Sequence, residues 1–400
     1  MNMSANRHMH AAATPRQGGF SLVELMVSIV IGLIILAAMV ALFVNSSGSN
    51  RELARANTLI ENGRLAIELL ESDVVHAGYW GSYMPVFDDQ TSSIDPDTIP
   101  NTELTQLPDA VPDPCLAYDT PWEPQDISNF VHVPVAVYDS AATCPGIVLD
   151  KAGSTDVLVV RHAELCAAGS GGNCEGDIAG NVYFQPSRCP AEDAERFQFG
   201  TEDDSVFDLQ QLNCTNLTEK RKFVQNLYYV RDYAVTDGDG IPTLVRSSFN
   251  MANPGDVPAQ QPAVAVIEGI EGFRVELGID NVSEPYAGEP DGTAVDYTAA
   301  IDWLDDDTRD TPTNRGDGSP DGAFIECTTA DPCTVDELMN VTAVKIYVLV
   351  RSREPAPNYT DTKTYQVGTT VMGPFNDGFK RHVYVSTLRL PNIAGRRQTP

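Results

Sequence analysis

A single acidic residue, Glu24, lies inside an apolar run that extends from Phe20 to Val44. At about 1.5 Å per residue, a helix over this run would be roughly 37 Å long, which is enough to cross a bilayer. A carboxylate in such a helix costs on the order of 2.5–3.5 kcal/mol at the membrane centre and less near the ends. An ion pair with good geometry offsets that cost in a low dielectric. The sequence therefore predicts a positively charged partner for Glu24; the alternative is a tolerated interfacial glutamate on a plain single-pass anchor.

Removal of the segment before the apolar run would create that partner. Residues 1–19 contain two arginines and no acidic residue, which places this leader on the cytoplasmic side of a membrane. An ordinary secretory signal is cleaved after its apolar run, near small residues, whereas Gly18 and Gly19 come before this one. Cleavage after Gly19 would remove the leader, keep the helix, and leave a new amino group on Phe20. That amino group, from the same or a neighbouring subunit, is the predicted partner of Glu24.

Eight cysteines indicate disulfide bonds, because the count is even and the chain carries an export segment. No Cys-x-x-Cys occurs and the six histidines are scattered, so zinc has little support. Alternative pairings, and buried free thiols, stay open. The pairs that close the shortest loops are Cys166–Cys174 and Cys327–Cys333, followed by Cys189–Cys214 and Cys115–Cys144.

Two acidic segments are candidate calcium sites. Asp237 and Asp239 lie two residues apart on a glycine-rich turn, but the twelfth position of an EF-hand loop counted from Asp237 is Ser248 rather than Glu. A hairpin turn between two strands is the favoured interpretation of Asp-Gly at this place. The second segment, Asp302–Asp321, favours a solvated loop over a calcium site. Its other polar members are Asp305, Asp306, Asp307, Asp310, Asn314 and Asp317.

No catalytic motif is apparent. Gly-x-Ser-x-Gly, a phosphate-binding loop and His-Glu-x-x-His are all absent from the sequence. We therefore expect neither enzymatic activity nor an obligatory cofactor. The formal net charge of −30 also argues against binding to nucleic acid and is typical of a surface that faces an aqueous extracellular space.

The predicted elements that carry these residues form an α+β fold. The helix continues as an amphipathic half over 45–78, with one apolar stripe, and ends near Gly78. A long loop follows over 79–129, and the globular domain extends over 79–400. The stripe consists of Leu53, Ala56, Ile60, Gly63, Ile67, Leu70 and Val74. Strands are predicted at 131–138, 156–162, 182–185, 223–235, 243–249, 264–279, 342–352, 363–367 and 382–390. The long N-terminal helix, transmembrane over 20–44, is expected to pack on antiparallel sheet with large loop insertions.

The N-terminal residues resemble the signal of type IV prepilins and type II secretion pseudopilins. Gly19-Phe20-Ser21-Leu22-Val23-Glu24 is similar to that motif at every position with a known role. The resemblance implies that a prepilin peptidase cuts after Gly19 and methylates Phe20, and that Glu24 serves assembly. Other segments resemble the PilW family of minor pilins, in patches: 77–81, 226–233, 237–244, 266–273 and 380–384. The segments 82–124 and 281–333 show no resemblance to this family.

The resemblance implies a pilin-like structural subunit. It would lie in the inner membrane with its C-terminal domain in the periplasm, and later reach the pilus and the cell surface. Its partners would be the prepilin peptidase, other minor pilins and the major pilin. It would help to initiate pilus assembly, sit at the tip, and support twitching motility and adhesion. The alternatives are a type II secretion minor pseudopilin of the J type and a tip adhesin that binds a surface ligand.

Overall fold

The computed structural model describes residues 19–83, 107–140, 144–172, 174–192, 196–202, 207–283, 292–296, 313 and 315–397. The helices in these residues are α1 (Leu22–Val74), α2 (Pro124–His132), α3 (Val335–Met339) and α4 (Pro391–Arg397). The strands are β1 (Val135–Tyr138), β2 (Val157–Ala163), β3 (Tyr183–Pro186), β4 (Phe197–Gly200), β5 (Arg221–Arg231), β6 (Thr243–Asn250), β7 (Ala259–Gln260), β8 (Val264–Glu268), β9 (Ile270–Ile279), β10 (Val341–Arg351), β11 (Tyr365–Val367), β12 (Thr370–Met372) and β13 (Arg381–Arg389). The predicted α+β class is confirmed.

The chain divides into two units, residues 1–54 and 55–400. In the described part of the first unit, α1 carries large apolar side chains that are all exposed, from Leu22 at 74% to Val44 at 60%. This part of the helix is apolar on every side rather than amphipathic. It is the one helix in the described residues that is long and apolar enough to cross a membrane.

Two antiparallel sheets and a small hairpin make up the strands of the second unit. In the larger sheet, β1 pairs with β2 and β2 with β5, while the other edge of β5 pairs with β3 and β6. Strand β4 extends this sheet beyond β3, and β7 and β8 extend it beyond β6. The smaller sheet has the order β13-β10-β9, and β11 pairs with β12. One core contains residues of both sheets and of α1, and a second, aromatic core surrounds Trp80, Trp122 and Phe223.

The predicted single strand over 264–279 is two strands in different sheets. Gly269 separates them, and its φ of +80° lies in the left-handed region that favours glycine. Its N–H donates to the Pro242 carbonyl at 2.7 Å and its carbonyl accepts from Arg351 N–H at 2.8 Å. A side chain there would press on the Arg351 carbonyl. A glycine inside an apolar run is thus the point at which the chain passes from the larger sheet to the smaller one.

Two predictions are wrong around residue 130: the loop does not extend to residue 129, and the strand does not begin at Val131. Residues Pro124–His132 form α2, and the strand begins only at Val135. Proline in the first turn suits a helix start, because its φ is already helical and its missing N–H would have no helical partner. Phe130 and Val131 are buried in the aromatic core, so burial rather than β-propensity decides their conformation.

Helix α1 contacts the sheets of the second unit along a narrow face. Its buried residues are Leu59, Gly63, Ala66, Leu70 and Val74. The predicted stripe was right at Gly63, Leu70 and Val74, and Ile67 is half-buried. It was wrong at Leu53, Ala56 and Ile60, which are exposed. The helix ends at Val74, and a turn extends to Gly78, whose φ is +71°.

Two carbonyls of the turn that follows α1 have a hydrogen-bond partner in the C-terminal helix. Asn392, at the start of α4, donates its side-chain N–H to the carbonyls of Val75 and Ala77, both at 3.2 Å. These groups lie beyond the end of the helical hydrogen-bond ladder and would otherwise be unpaired. The C-terminal segment therefore fixes the point where α1 enters the globular part.

Gly63 allows the close approach of α1 to β13. A Cβ at this position would overlap the ring of Tyr384, whose hydroxyl donates to the Leu59 carbonyl at 3.4 Å. We predict that Gly63→Ala lowers the free energy of unfolding by about 1–3 kcal/mol through overpacking, although the same change stabilises an exposed helix. Arg64→Ala on the exposed side is the control and should stay within about 0.5 kcal/mol of wild type.

Urea unfolding followed by near-ultraviolet circular dichroism measures both variants. Adding Tyr384→Leu to Gly63→Ala should recover part of the loss, because the smaller side chain vacates the space of the ring. Equal stability of Gly63→Ala and wild type would contradict the packing argument.

A polar cluster joins the end of α1 to the larger sheet. Asp73 Oδ1 lies 3.1 Å from His162 Nε2 on β2, and both carboxylate oxygens accept from Asn226 Nδ2 on β5, at 3.2 and 3.1 Å. Ser248 Oγ donates to Asn226 Oδ1 at 2.6 Å. Burial by itself lowers the pKa of His162, but the hydrogen bond and charge of Asp73, with smaller contributions from the Ala163 carbonyl and Glu164, raise it above its usual 6.5.

The raised pKa predicts a pH dependence of stability. Because the folded-state pKa of His162 lies above its unfolded value, its contribution is complete below about pH 6.5 and is lost as pH rises through the folded-state pKa. His162→Gln should remove this component of the slope, while His382→Gln, at an exposed site, should leave it unchanged. Thermal unfolding between pH 5 and 9 measures it. A His162→Gln variant with the wild-type slope would refute the assignment.

Candidate assembly and processing site

The residues around the expected cleavage point form the start of α1. Gly19 and Phe20 precede the helix, which begins at Leu22. Ser21 N–H donates to Glu24 Oε2 at 3.0 Å, and Glu24 N–H donates to Ser21 Oγ at 3.2 Å. The structure thus brings the carboxylate of Glu24 back to the backbone at the beginning of the helix, next to Phe20.

These two reciprocal hydrogen bonds are a capping box. A helix leaves its first N–H groups without helical partners, and Ser-x-x-Glu satisfies two of them at once. The carboxylate also lies at the positive end of the helix dipole. The predicted assembly role of Glu24 does not include this local role, although Ser21 followed three residues later by Glu24 carries its signature.

The side chains beyond Glu24 are apolar and exposed all round the helix. Leu25, Ile29 and Ile34 are between 54% and 63% exposed, in a stretch with a mean hydropathy of 3.1. Ser28 is compatible with such surroundings because its hydroxyl donates to the Glu24 carbonyl at 2.7 Å. At about 25 cal/mol per Å² of apolar surface, this part of the helix strongly favours a membrane or neighbouring helices over water.

The first acidic segment is a hairpin turn between β5 and β6, as the favoured interpretation predicted. The carboxylate of Asp239 accepts from the backbone N–H groups of Ala234, Val235, Thr236 and Ile241, at 2.9–3.2 Å. These hydrogen bonds hold the pKa of Asp239 well below its usual range. The carboxylate therefore closes the turn; calcium binding by Asp237 and Asp239 stays a prediction.

The second acidic segment is only partly described. Asp302, Asp305, Asp306, Asp307, Asp310 and Asn314 lie outside the described residues, as do residues 1–18 of the leader. Asp317 accepts from Ser319 N–H at 2.7 Å, and Asp321 accepts from the N–H groups of Asn281 and Val282 at 2.9 and 2.8 Å. Both carboxylates thus hold loop backbone. Among the described residues, no three metal-ligating side chains cluster.

All eight cysteines are joined in pairs in the structure. The Cα–Cα distances lie between 4.9 and 5.5 Å, and Cys144 is fully buried in the main core. The pairs are the short closures named from the sequence: Cys115–Cys144, Cys166–Cys174, Cys189–Cys214 and Cys327–Cys333. Such a set suits an oxidising compartment.

Comparison with known proteins adds to this geometry. No curated protein matches the sequence. A similar solved structure is a type IV-like pilin from Thermus thermophilus, with 14% sequence identity and a TM-score of 0.25; the match covers 65% of this chain and 82% of that chain. The model of the prokaryotic N-terminal methylation motif matches residues 14–40, and that of the type IV pilus-assembly protein W, PilW, matches residues 227–392.

These two matches support a type IV pilin-like protein of the PilW family. The PilW match begins in β5 and ends in α4, so it includes the β5–β6 hairpin and the whole smaller sheet. It also spans residues 281–333, where the sequence showed no resemblance to this family, so that expectation is corrected. The methylation motif includes the capping box and the first part of the apolar run. The PilW-like chain is thus a membrane-anchored pilus component, a minor pilin whose N-terminal motif implies processing by a prepilin peptidase.

The capping box gives a testable role for Ser21 in this PilW-like chain. We predict that Ser21→Ala weakens the helix start by about 1 kcal/mol, so that the Glu24 amide exchanges with solvent about fivefold faster. Ser28→Ala is the matched control, since it removes a bond to the Glu24 carbonyl and leaves the cap intact. Amide exchange of the full chain in detergent micelles measures both; equal acceleration in the two variants would contradict the cap.

Proposed function

We propose that this minor pilin helps to initiate pilus assembly and lies at the pilus tip, where it supports twitching motility and adhesion. Its role is structural rather than catalytic. The observation that carries the proposal is the exposed apolar half of α1 with one acid, Glu24, in its first turn. Such a helix needs a membrane before assembly and other helices after it.

The proposed maturation begins with cleavage between Gly19 and Phe20 and methylation of the Phe20 amino group. Glu24 then has two positively polarised groups within reach, the Ser21 N–H that it already accepts from and an ammonium. Within one subunit, the capping geometry points the carboxylate toward its own new terminus. In an assembling pilus the ammonium of a neighbouring subunit would compete for the Glu24 carboxylate. An unpaired carboxylate is costly in an apolar interior, so subunits would dock in the register that places the carboxylate beside that ammonium.

The proposed topology places the leader in the cytoplasm and the globular part in the periplasm, and later at the cell surface. Four disulfides in the globular part support this side of the membrane, because disulfides persist in oxidising compartments. The expected partners are the prepilin peptidase, other minor pilins and the major pilin.

Replacing Glu24 tests the proposal. We predict that Glu24→Val reduces the number of pili per cell by at least about tenfold, because one lost ion pair in an apolar setting is worth a few kcal/mol. Glu68→Val, on the exposed side of the same helix, is the control and should leave piliation unchanged. Electron microscopy counts the pili, and intact mass of the membrane-extracted protein reports whether it begins at a methylated Phe20.

Each outcome of that experiment has a definite meaning. Full piliation with Glu24→Val would refute the assembly role of the acid, and a mature protein that begins at Met1 would refute the maturation. A strain that lacks this protein distinguishes an adhesin from a subunit that initiates assembly. Normal pili with lost surface attachment would favour an adhesin over an initiating subunit.

A further inference from the structure

A cleft in the second unit lies beside the turn that follows α1. It encloses about 760 Å³, which is within the size range of small-molecule sites in proteins. The turn lines it with Tyr79 and Ser82, and the end of β3 lines it with Pro186. A loop over residues 211–218 and Arg221, at the start of β5, complete the lining.

The loop that lines the cleft is held in place by covalent and polar contacts within the protein. Cys214 of this loop is joined to Cys189, which follows β3. Asn213 Oδ1 accepts from the N–H groups of Thr215 and Asn216, at 3.1 and 3.0 Å. A loop that is already ordered loses little conformational entropy when a ligand binds. The cleft is therefore preformed on this side.

Several polar groups of the lining do not use their hydrogen-bonding capacity within the described residues. Gln211 donates through Nε2 to the Leu217 carbonyl at 3.1 Å, but its Oε1 accepts from no group there. Asn213 Nδ2 and Ser82 Oγ also lack partners in this part of the chain. Thr218 Oγ1 is buried and has no hydrogen-bond partner, although buried polar groups are usually paired. These amide and hydroxyl groups together donate and accept, as the hydroxyls of a sugar do.

The cleft also has one cation that no carboxylate of the described residues neutralises. This cation is Arg188, which is exposed. Arg221 differs, because it donates to the Glu219 carboxylate at 2.6 Å and to the Glu164 carbonyl at 3.2 Å. Its guanidinium also lies 5.7 Å from the centre of the Tyr79 ring. Only Arg188 can therefore form a bidentate pair with a carboxylate of a ligand without giving up a protein partner.

The charge around Arg188 limits the kind of anion that fits. Glu219 lines the same cleft, and the whole chain has a formal net charge of −30. A polyanion such as nucleic acid would be repelled by this field, whereas a ligand with one carboxylate at Arg188 gains more than it loses. Leu212, which is 67% exposed, adds an apolar contact for the C–H groups of a ligand.

The cleft lies outside the parts of the chain that match known families. Its lining residues fall between positions 79 and 221, whereas the two family matches cover residues 14–40 and 227–392. The pattern that PilW-like chains share thus does not include this cleft. A ligand bound here would serve a role particular to this protein rather than the shared assembly role.

We propose that this cleft binds an acidic saccharide. One sugar carboxylate would pair with Arg188, and sugar hydroxyls would bond to Ser82, Gln211 and Asn213. A peptide with a free carboxylate fits less well, because its N–H and carbonyl groups each only donate or only accept, while amides and hydroxyls in the lining offer both functions side by side. The inference deepens the adhesive part of the function proposed above and rests on it.

Two tetrasaccharides test the proposal with the full chain in micelles of a sugar-free detergent. One alternates glucuronate with N-acetylglucosamine, and the other is the same molecule with its carboxylates reduced to alcohols. Calorimetry should show that the acidic form binds at least about tenfold more tightly, as expected for charge-assisted hydrogen bonds. Its binding should shift the amide resonances of Gln211, Leu212 and Asn213 and leave that of Val385 unchanged.

Three variants separate charge from hydrogen bonding. Arg188→Gln should weaken binding of the acidic tetrasaccharide by at least about tenfold and remove the preference over the reduced form. Arg353→Gln removes the same charge from an exposed arginine that does not line the cleft, and it should bind like wild type. Gln211→Ala removes an amide without changing the charge, so it should weaken both tetrasaccharides alike, by about threefold to tenfold.

The proposal is overturned if neither tetrasaccharide binds, if both bind equally tightly, or if Arg188→Gln binds like wild type. Tighter binding of a short peptide that ends in a leucine carboxylate would also overturn it and would identify a peptide as the occupant. The assay needs no pili, so its failure differs from failure of the assembly role. Saccharide binding together with full piliation of Glu24→Val would keep the cleft assignment and refute the assembly role, and the reverse pair of results would do the opposite.

Discussion

The apolar surface of α1 dictates what both units of this protein must provide. The first part of the helix exposes apolar side chains on all sides, and the last part buries one narrow face in the sheets. No aqueous environment suits the first part, while the second part is stable only against strands. Glu24 is tolerable because its carboxylate is already bonded to the helix start. The globular part must therefore present a complementary surface to the last part of α1, while the first part requires a membrane or other helices.

The second unit meets this requirement with contacts that differ along the helix. Gly63 lets β13 approach closely, Asn62 donates to the Glu268 carbonyl of β8 at 2.9 Å, and Asp73 bonds to β2 and β5. Both sheets thus share one helix, and Gly269 is where the chain passes between them. The PilW match, residues 227–392, contains this crossing and the entire smaller sheet. The PilW match therefore includes β8 and β13, the strands that contact α1 at Asn62 and Gly63.

Buried charges elsewhere in the second unit hold loop segments in place. Arg381 bonds to Asp361 at 3.0 Å and to Asp377 at 2.7 Å, and it ties the segment after β10 to the start of β13. Asp280 has its pKa raised to about 6, because burial outweighs the opposing effect of Arg397. Breaking such a pair costs more than forming it gains, since the remaining charge stays buried. These pairs specify where the long insertions attach.

Features that depend on local spacing follow from the order of the residues alone. The apolar run, Glu24 four residues after Phe20, and cysteine pairs separated by 6 to 29 residues all lie within short stretches, so their order already limits what they can do. Most strands were predictable because a half-buried strand alternates or is rich in β-branched residues. Long-range packing sets the helix at Pro124–His132, and it exposes Ile60 while it buries Leu59. It alone decided that Gly269 divides one apolar run between two sheets, because each outcome depends on which distant surface the residue meets.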